Sequence, residues 1–335
     1  MNKYYLLWVW LIAGGLVYGQ DGIETIRIWD QAPHNAFTDL VRFRGSFYCC
    51  FREAPGHVPR GRSENGAVRI LKSKEGRSWE NVAILRNEQY DLRDPKLSVT
   101  PDKKLMVIMG GSDYTTGKLE GCLAHVSFSR DGRSFTEPIP TRVDQTIKSD
   151  YDWIWRVTWN HGTGYGVVYQ PVQPDGEFRI RLLGTKDGIN YQLISDLDLK
   201  GKPNETTIRF DGKHLYMVVR RESQDQNGML GESDPPYRNW TWHDLGIRLG
   251  GPEFILLKSG QILLGTRFYH PAEAGGAKTG IVYLESSGKP GKTIELPSGG
   301  DTSYPGMVLF RNKLYMSYYS SHEGKTSVYL AILPI

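Results

Sequence analysis

The sequence predicts an all-β protein, a six-bladed β-propeller, and three observations carry that prediction. Turn signatures recur at Ser73–Trp79 (SKEGRSW), Ser129–Phe135 (SRDGRSF) and Thr185–Tyr191 (TKDGINY), each behind an alternating apolar run. Repetition at intervals of roughly 50–60 residues marks a repeat architecture. Short runs rich in β-branched and aromatic residues, such as Phe47–Phe51, Leu105–Met109 and Leu314–Tyr319, stand between Gly, Asp and Asn turns, and long helical patterns are nearly missing. Finally, the last unit, ending in Ser327–Leu333, has too few strands for a blade, while Ile23–Trp29 stands unpaired before the first unit. An N-terminal strand completing the last blade would close the ring and remove exposed edges.

Each unit opens with a strand, turns at Gly, Asp or Asn, returns through a second strand, and usually carries a third into a turn signature. Unit starts fall near Ala36, Arg93, Trp155, Asn204, Pro252 and Ser303. Within the signatures, Asp131-Gly132 and Asp187-Gly188 tolerate left-handed backbone, the preceding Ser or Thr can bond local backbone, and the following aromatic packs on the blade. Their role is scaffolding.

Lys3, the apolar stretch Tyr4–Val17 and the small-residue end at Gly19 form a secretory signal pattern, so residues 1–19 are expected to be removed and 20–335 to form one domain. The expected location is the periplasm or the exterior. Net charge is +4, from 41 basic and 37 acidic residues spread along the chain. That leaves no footprint for nucleic acid or an acidic membrane. Three cysteines make no disulfide framework, Cys49 and Cys50 read as core thiols, and His-Cys metal spacing is absent.

Aligning the units by their central turns exposes a second pattern. Gly45 leads to Arg52, Gly260 to Arg267 and, with one residue inserted, Gly212 to Arg220. Guanidinium groups at matched strand ends would converge on one face of the channel and suit a carboxylate, sulfate or phosphate. First strands show a related register: Glu205 and Glu253 precede their turn glycines by equal spacing, and Tyr304, Asp94 and Arg156 occupy similar strand starts, with Asp39 at the first. A tyrosine beside a carboxylate amid arginines is a plausible nucleophile, the carboxylate taking the phenolic proton while positive charge favours phenolate. Trp153 and Trp155 could stack on a sugar ring or pack between blades.

These residues resemble the sialidase superfamily. The turn signatures look like its Asp boxes (BNR repeats), one residue shorter than the commonest form. The segment Asn204–Arg221 resembles the stretch that begins with the catalytic glutamate and ends with a carboxylate-binding arginine; Leu263–Arg267 fits the next arginine, and Ser303–Met307 the segment with the nucleophilic tyrosine. The resemblance implies Tyr304 as nucleophile, Glu205 as its base, and Arg220 and Arg267 as two of three carboxylate ligands. Two departures fall in the first blade. Asn35–Asp39 stands where the family carries an Arg-Ile-Pro motif, so Arg52 would have to complete the triad. The loop Glu53–Asn65 holds no aspartate for the acid/base role, leaving His57, then Glu53, then Glu64.

The expected function is therefore a secreted, monomeric, cofactor- and metal-independent exo-glycosidase acting on an acidic glycan or glycoconjugate through a tyrosine-nucleophile, retaining mechanism. Two alternatives remain open at this point: a non-catalytic acidic-glycan-binding propeller, and a uronate polysaccharide lyase.

Overall fold

A computed structural model describes residues 16–18, 22–172, 176–285 and 287–335. Most of the expected leader lies outside the described residues; within that stretch Leu16–Tyr18 forms a short strand, β1, paired with β2 (Glu24–Trp29). The rest is a succession of antiparallel meanders. The first comprises β3 (His34–Phe43), β4 (Ser46–Ala54), β5 (Ala67–Ser73) and β6 (Glu80–Leu85). The second runs through β7 (Asp91–Val99), β8 (Leu105–Asp113) and β9 (Gly121–Ser129), with β10 (Ile139–Pro140) on its edge. After the short β11 (Arg142–Val143) comes a third, β12 (Tyr151–Asn160), β13 (Thr163–Val172), β14 (Glu177–Thr185) and β15 (Asn190–Leu197). A parallel contact of Tyr151 and Asp152 with Cys122 and Leu123 joins the second and third into one larger sheet.

The fourth meander is β16 (Pro203–Asp211), β17 (His214–Arg221), β18 (Asn227–Ser233) and β19 (Thr241–Arg248), and the fifth is β20 (Glu253–Leu256), β21 (Ile262–Tyr269), β22 (Ala277–Leu284) and β23 (Pro290–Glu295). The last contains β24 (Thr302–Phe310), β25 (Lys313–Ser320) and β26 (Ser327–Pro334), and β2 adds to it, Glu24 opposite Ile332 and Ile26 opposite Leu330. The first strands pack on one another in cyclic order, β3 on β7, β7 on β12, β12 on β16, β16 on β20, β20 on β24 and β24 back on β3. Every unit start expected from the sequence lies on one of these inner strands or immediately before it.

The core is divided into apolar slabs between neighbouring sheets. Tyr48, Val68 and Ile70 of the first meander meet Leu97, Leu105 and Val107 of the second, and Phe47, Cys49 and Leu71 meet Tyr315, Val328 and Leu330 of the last. Cys49, Cys50 and Cys122 are buried free thiols, and burial raises all three above the ordinary thiol value.

The turn signatures explain how the slabs are sealed. Gly76, Gly132 and Gly188 donate their N–H to the hydroxyls of Ser73, Ser129 and Thr185 at 2.8, 2.8 and 2.9 Å, and all three glycines have positive φ, +87°, +74° and +76°. Asp131 accepts the N–H groups of Arg133 and Ser134, and Asp187 those of Ile189 and Asn190, all at 2.8 Å. Each turn then presses its glycine against the preceding unit: Gly76 against Tyr315 and Leu330, Gly132 against Tyr48, Gly188 against Met106. The repeats are therefore inter-sheet buttresses as well as hairpin ends. Gly132→Ala, whose Cβ would lie 2.2 Å from the Tyr48 hydroxyl, should lower unfolding free energy by about 2–4 kcal/mol. Gly212→Ala, whose Cβ meets nothing, should cost about 1–2 kcal/mol from left-handed backbone alone. Equal losses for the two in urea denaturation would remove the buttress role.

Candidate active site

Five inner strands carry a β-bulge at the same level, at residues 37–38 in β3, 94–95 in β7, 155–156 in β12, 204–205 in β16 and 304–305 in β24. A bulge inserts one extra residue and re-aims the neighbouring side chains. Phe37, Asp94 and Tyr304 occupy equivalent bulge positions with φ of +64°, +51° and +53°. Left-handed backbone at non-glycine residues costs on the order of 1–3 kcal/mol each and collects at functional sites. Here it gathers Phe37, Tyr304, Trp155 and Tyr319 into one cluster, with Phe37 and Trp155 at 5.1 and 5.4 Å from the Tyr304 ring.

Tyr304 donates its hydroxyl to Glu205 Oε1 at 2.5 Å. The other oxygen, Glu205 Oε2, meets Arg220 Nη1 at 2.7 Å and accepts the Gly251 N–H at 2.8 Å. Gly251 has φ +59°, and a Cβ there would lie 2.8 Å from the Tyr304 ring, so glycine permits both the turn and the approach. Burial alone would raise Glu205, but Arg220, the Tyr304 hydroxyl and the Gly251 N–H outweigh it and hold the carboxyl below its usual value. Burial, followed by the charges of Glu205 and Asp94, pushes the Tyr304 phenol well above its ordinary range, with Arg220 opposing. The resting pair is thus carboxylate and neutral phenol. The expectation that nearby positive charge favours phenolate is corrected: desolvation is the larger effect.

Arg267 reaches the same cluster, giving its Nε–H to Thr302 O at 2.6 Å and an Nη2–H to Tyr319 at 3.3 Å. Arg52 does not. It is fully buried in an ion pair with Asp91, at 2.8 and 3.0 Å, and gives its remaining edge to Gly56 O. Arg93, read in the sequence only as a unit start, lies against Phe37 of the cluster instead. Its guanidinium lies over Phe37 at 5.0 Å, bonds Tyr114 at 3.1 Å and forms ion pairs at 3.7 Å with Asp91 and, through Nε, with Asp94, the buried Nε having no hydrogen-bond partner. Asp94 is buried beside it with Oδ1 unpartnered, and burial raises its carboxyl.

Asp39 and Arg156 lie in a different place from the channel mouth. Both are buried, and Arg156 spans from Asp39, at 2.9 Å, to Glu253, which also takes Arg209. Asp39 further accepts the Leu97 N–H at 2.6 Å, and Lys96 lies 5.3 Å beneath the Tyr304 ring with its amine on Thr38 O. Four inner strands thereby meet in an axial charge lock just below the tyrosine, and Lys96 brings in a fifth. Equal spacing to a turn glycine misplaced Glu253 because two residues join β16 to β17 and five join β20 to β21. Trp155 is buried, and Trp153 stacks on Tyr169 at 5.6 Å, so both pack.

Of the three acid/base candidates, one reaches the cluster. Glu53 is held by Trp29 and Arg69, at 2.5 and 2.7 Å, and Glu64 is forked by exposed Arg60. His57 is half-exposed, its ring edge-on to Phe37 at 5.1 Å, and its Nδ1 lies 2.8 Å from Asp301 Oδ2. Asp301 also meets His34 at 2.9 Å and accepts the Tyr319 hydroxyl at 2.9 Å. Burial would raise Asp301, but the bonds from His34 and His57 drive it far below the usual carboxylate range. Asp301 and His34 carry no local motif; only their approach to His57 reveals them. Among the described residues, His34, His57 and Asp301 form the group able to offer three metal-ligand atoms within 4.8 Å of one another.

No protein-family model matches the sequence, and no curated protein matches it. Solved structures do. A protein of unknown function from Dyadobacter fermentans superposes with TM-score 0.80 at 20% identity, covering 94% of this chain and 99% of that one. An α-L-arabinofuranosidase of Fusarium graminearum gives 0.67 at 14% identity, covering 92% and 97%. Trypanosoma rangeli sialidase with the inhibitor DANA gives 0.63 at 11%, over 92% of this chain and 56% of the sialidase. The chain thus spans little more than half of that sialidase, which has also been captured with sialic acid and as a covalent difluorosialic acid intermediate. At these identities the likeness is one of fold: this is the propeller-type fold of glycoside hydrolases.

The charge lock can be tested apart from chemistry. Asp39→Ala leaves buried Arg156 with Glu253 as its one acidic partner and the Leu97 N–H without its acceptor, and should lower unfolding free energy by about 3–5 kcal/mol. A loss under about 1 kcal/mol in urea denaturation would mean that water solvates the axis.

Proposed function

We propose that this protein is a secreted, monomeric retaining glycosidase that releases a terminal acidic sugar, sialic acid or a related nonulosonic acid. Its framework in this reading is a six-bladed propeller with β2 completing the last blade, which the cyclic packing of the inner strands supports. The leader at residues 1–19 would carry it to the periplasm or exterior. The observation that carries the chemistry is the 2.5 Å bond from the Tyr304 hydroxyl to Glu205.

In the first step Tyr304 Oη attacks the anomeric carbon while its proton passes to Glu205 Oε1. His57, with Nδ1 fixed by Asp301, donates from Nε2 to the leaving oxygen. Water, deprotonated by His57, then displaces the tyrosyl oxygen, which recovers its proton from Glu205. A neutral phenol suits an anionic sugar because it adds no negative charge to the approach. Arg220, paired with Glu205 and Glu222, and Arg93, whose Nε lies 3.7 Å from Asp94 Oδ2, each keep a buried Nε without a hydrogen-bond partner, and these two donors together with Arg267 are assigned to the substrate. Such donors favour a carboxylate-bearing sugar over a neutral pentoside. Asp94 is assigned to a sugar hydroxyl.

Turnover of fluorogenic acidic glycosides should fall by about 10²–10⁴ in Tyr304→Phe and in Glu205→Gln with the fold intact. A fluorinated substrate analogue should label Tyr304, read by peptide mass spectrometry. Undiminished activity in both variants would sink the assignment. An unsaturated, ultraviolet-absorbing product from a uronate polymer would point to elimination instead.

A further inference from the structure

The cluster behind the acid/base candidate suggests a second capacity. We propose that His34, His57 and Asp301 form a binding site for a divalent first-row transition-metal ion, of which Zn²⁺ is the representative. The three residues come from separate parts of the chain: the first residue of β3, the loop after β4, and the segment leading into β24. Their ligand atoms nevertheless converge, each within 4.8 Å of the others. His34 Nε2 and His57 Nδ1 both point at one carboxylate oxygen, Asp301 Oδ2, at 2.9 and 2.8 Å.

Separations just under 3 Å are those between neighbouring ligands of an octahedral ion with bonds of ~2.1 Å. A donor set of two imidazoles and one carboxylate suits zinc or ferrous-type ions rather than calcium or magnesium. The carboxylate is also braced as a ligating carboxylate usually is. Asp301 gives its second oxygen to Tyr319, itself bonded by Arg267, and its backbone N–H is tied to Ser321 at 2.8 Å. His34 is buried and anchored through the β3 bridge to Thr326. His57 is half-exposed, which leaves a route for an ion and for water or an anionic ligand on its open face. An ion there would replace the His57–Asp301 contact, so metal and the proton-transfer role compete for His57 Nδ1.

The site rests on ligand geometry and not on the glycosidase reading, so it is tested by binding alone. Chelator-stripped full-length chain titrated calorimetrically with Zn²⁺ should take up about one equivalent. His57→Ala, on the exposed side, and Asp301→Asn should each weaken that binding at least about tenfold, while Tyr304→Phe should bind Zn²⁺ as the unaltered chain does. Absence of binding overturns the proposal. So does binding that survives in His57→Ala and Asp301→Asn; if it is lost in His243→Ala instead, the ion sits at the His214 and His243 pair on Glu232.

Discussion

The structure depends on one constraint: inner strands that must run down a shared axis while presenting different chemistry above and below a single level. The bulge solves it. One extra residue in each of β3, β7, β12, β16 and β24 breaks the strict alternation of a strand, so consecutive residues serve opposite purposes. On the bulges themselves stand Tyr304, Glu205, Asp94 and Phe37. On the other side Arg156 links Asp39 to Glu253, which also takes Arg209, with Lys96 alongside.

The two layers are coupled through few atoms. Thr38 donates its hydroxyl to the Tyr304 carbonyl at 2.6 Å, and its own carbonyl takes the Lys96 amine at 3.2 Å. The strained backbone of Tyr304 is therefore held from below by the charge lock and from the side by Gly251, while Phe37 and Trp155 pin the ring. A phenol held this way needs no rearrangement to meet Glu205. In the proposed mechanism the strain falls at the reacting residue, a form of preorganisation, because neighbouring strands and ion pairs over-determine its position.

Burial changes the electrostatic character of the site from what a list of charges suggests. Several arginines surround Tyr304, yet its phenol is pushed up, since removal from water and two nearby carboxylates outweigh them. Glu205 goes the other way because Arg220 and two hydrogen bonds hold its ionised form. In the proposed reaction a proton thus rests on the oxygen that must lose it, beside a carboxylate ready to receive it.

Much of the architecture was legible in the sequence because it is local and repeated. Turn signatures, alternating runs and the unpaired Ile23–Trp29 strand needed only hairpin chemistry and period, and Glu205, Tyr304, Arg220 and Arg267 were found by their positions within aligned units. What the sequence could not decide was where equivalent strand ends point. Arg52 matches Arg267 in spacing, but Asp91 of the next meander captures it. Glu253 matches Glu205 in spacing, but a longer turn moves it to the axis. Arg93, Asp301 and His34 acquire meaning only from partners far along the chain, through Phe37, His57 and Tyr319. Local spacing sets strand and turn; competition among buried charges for partners, settled by the packing of whole sheets, chooses which side chains gather around Tyr304.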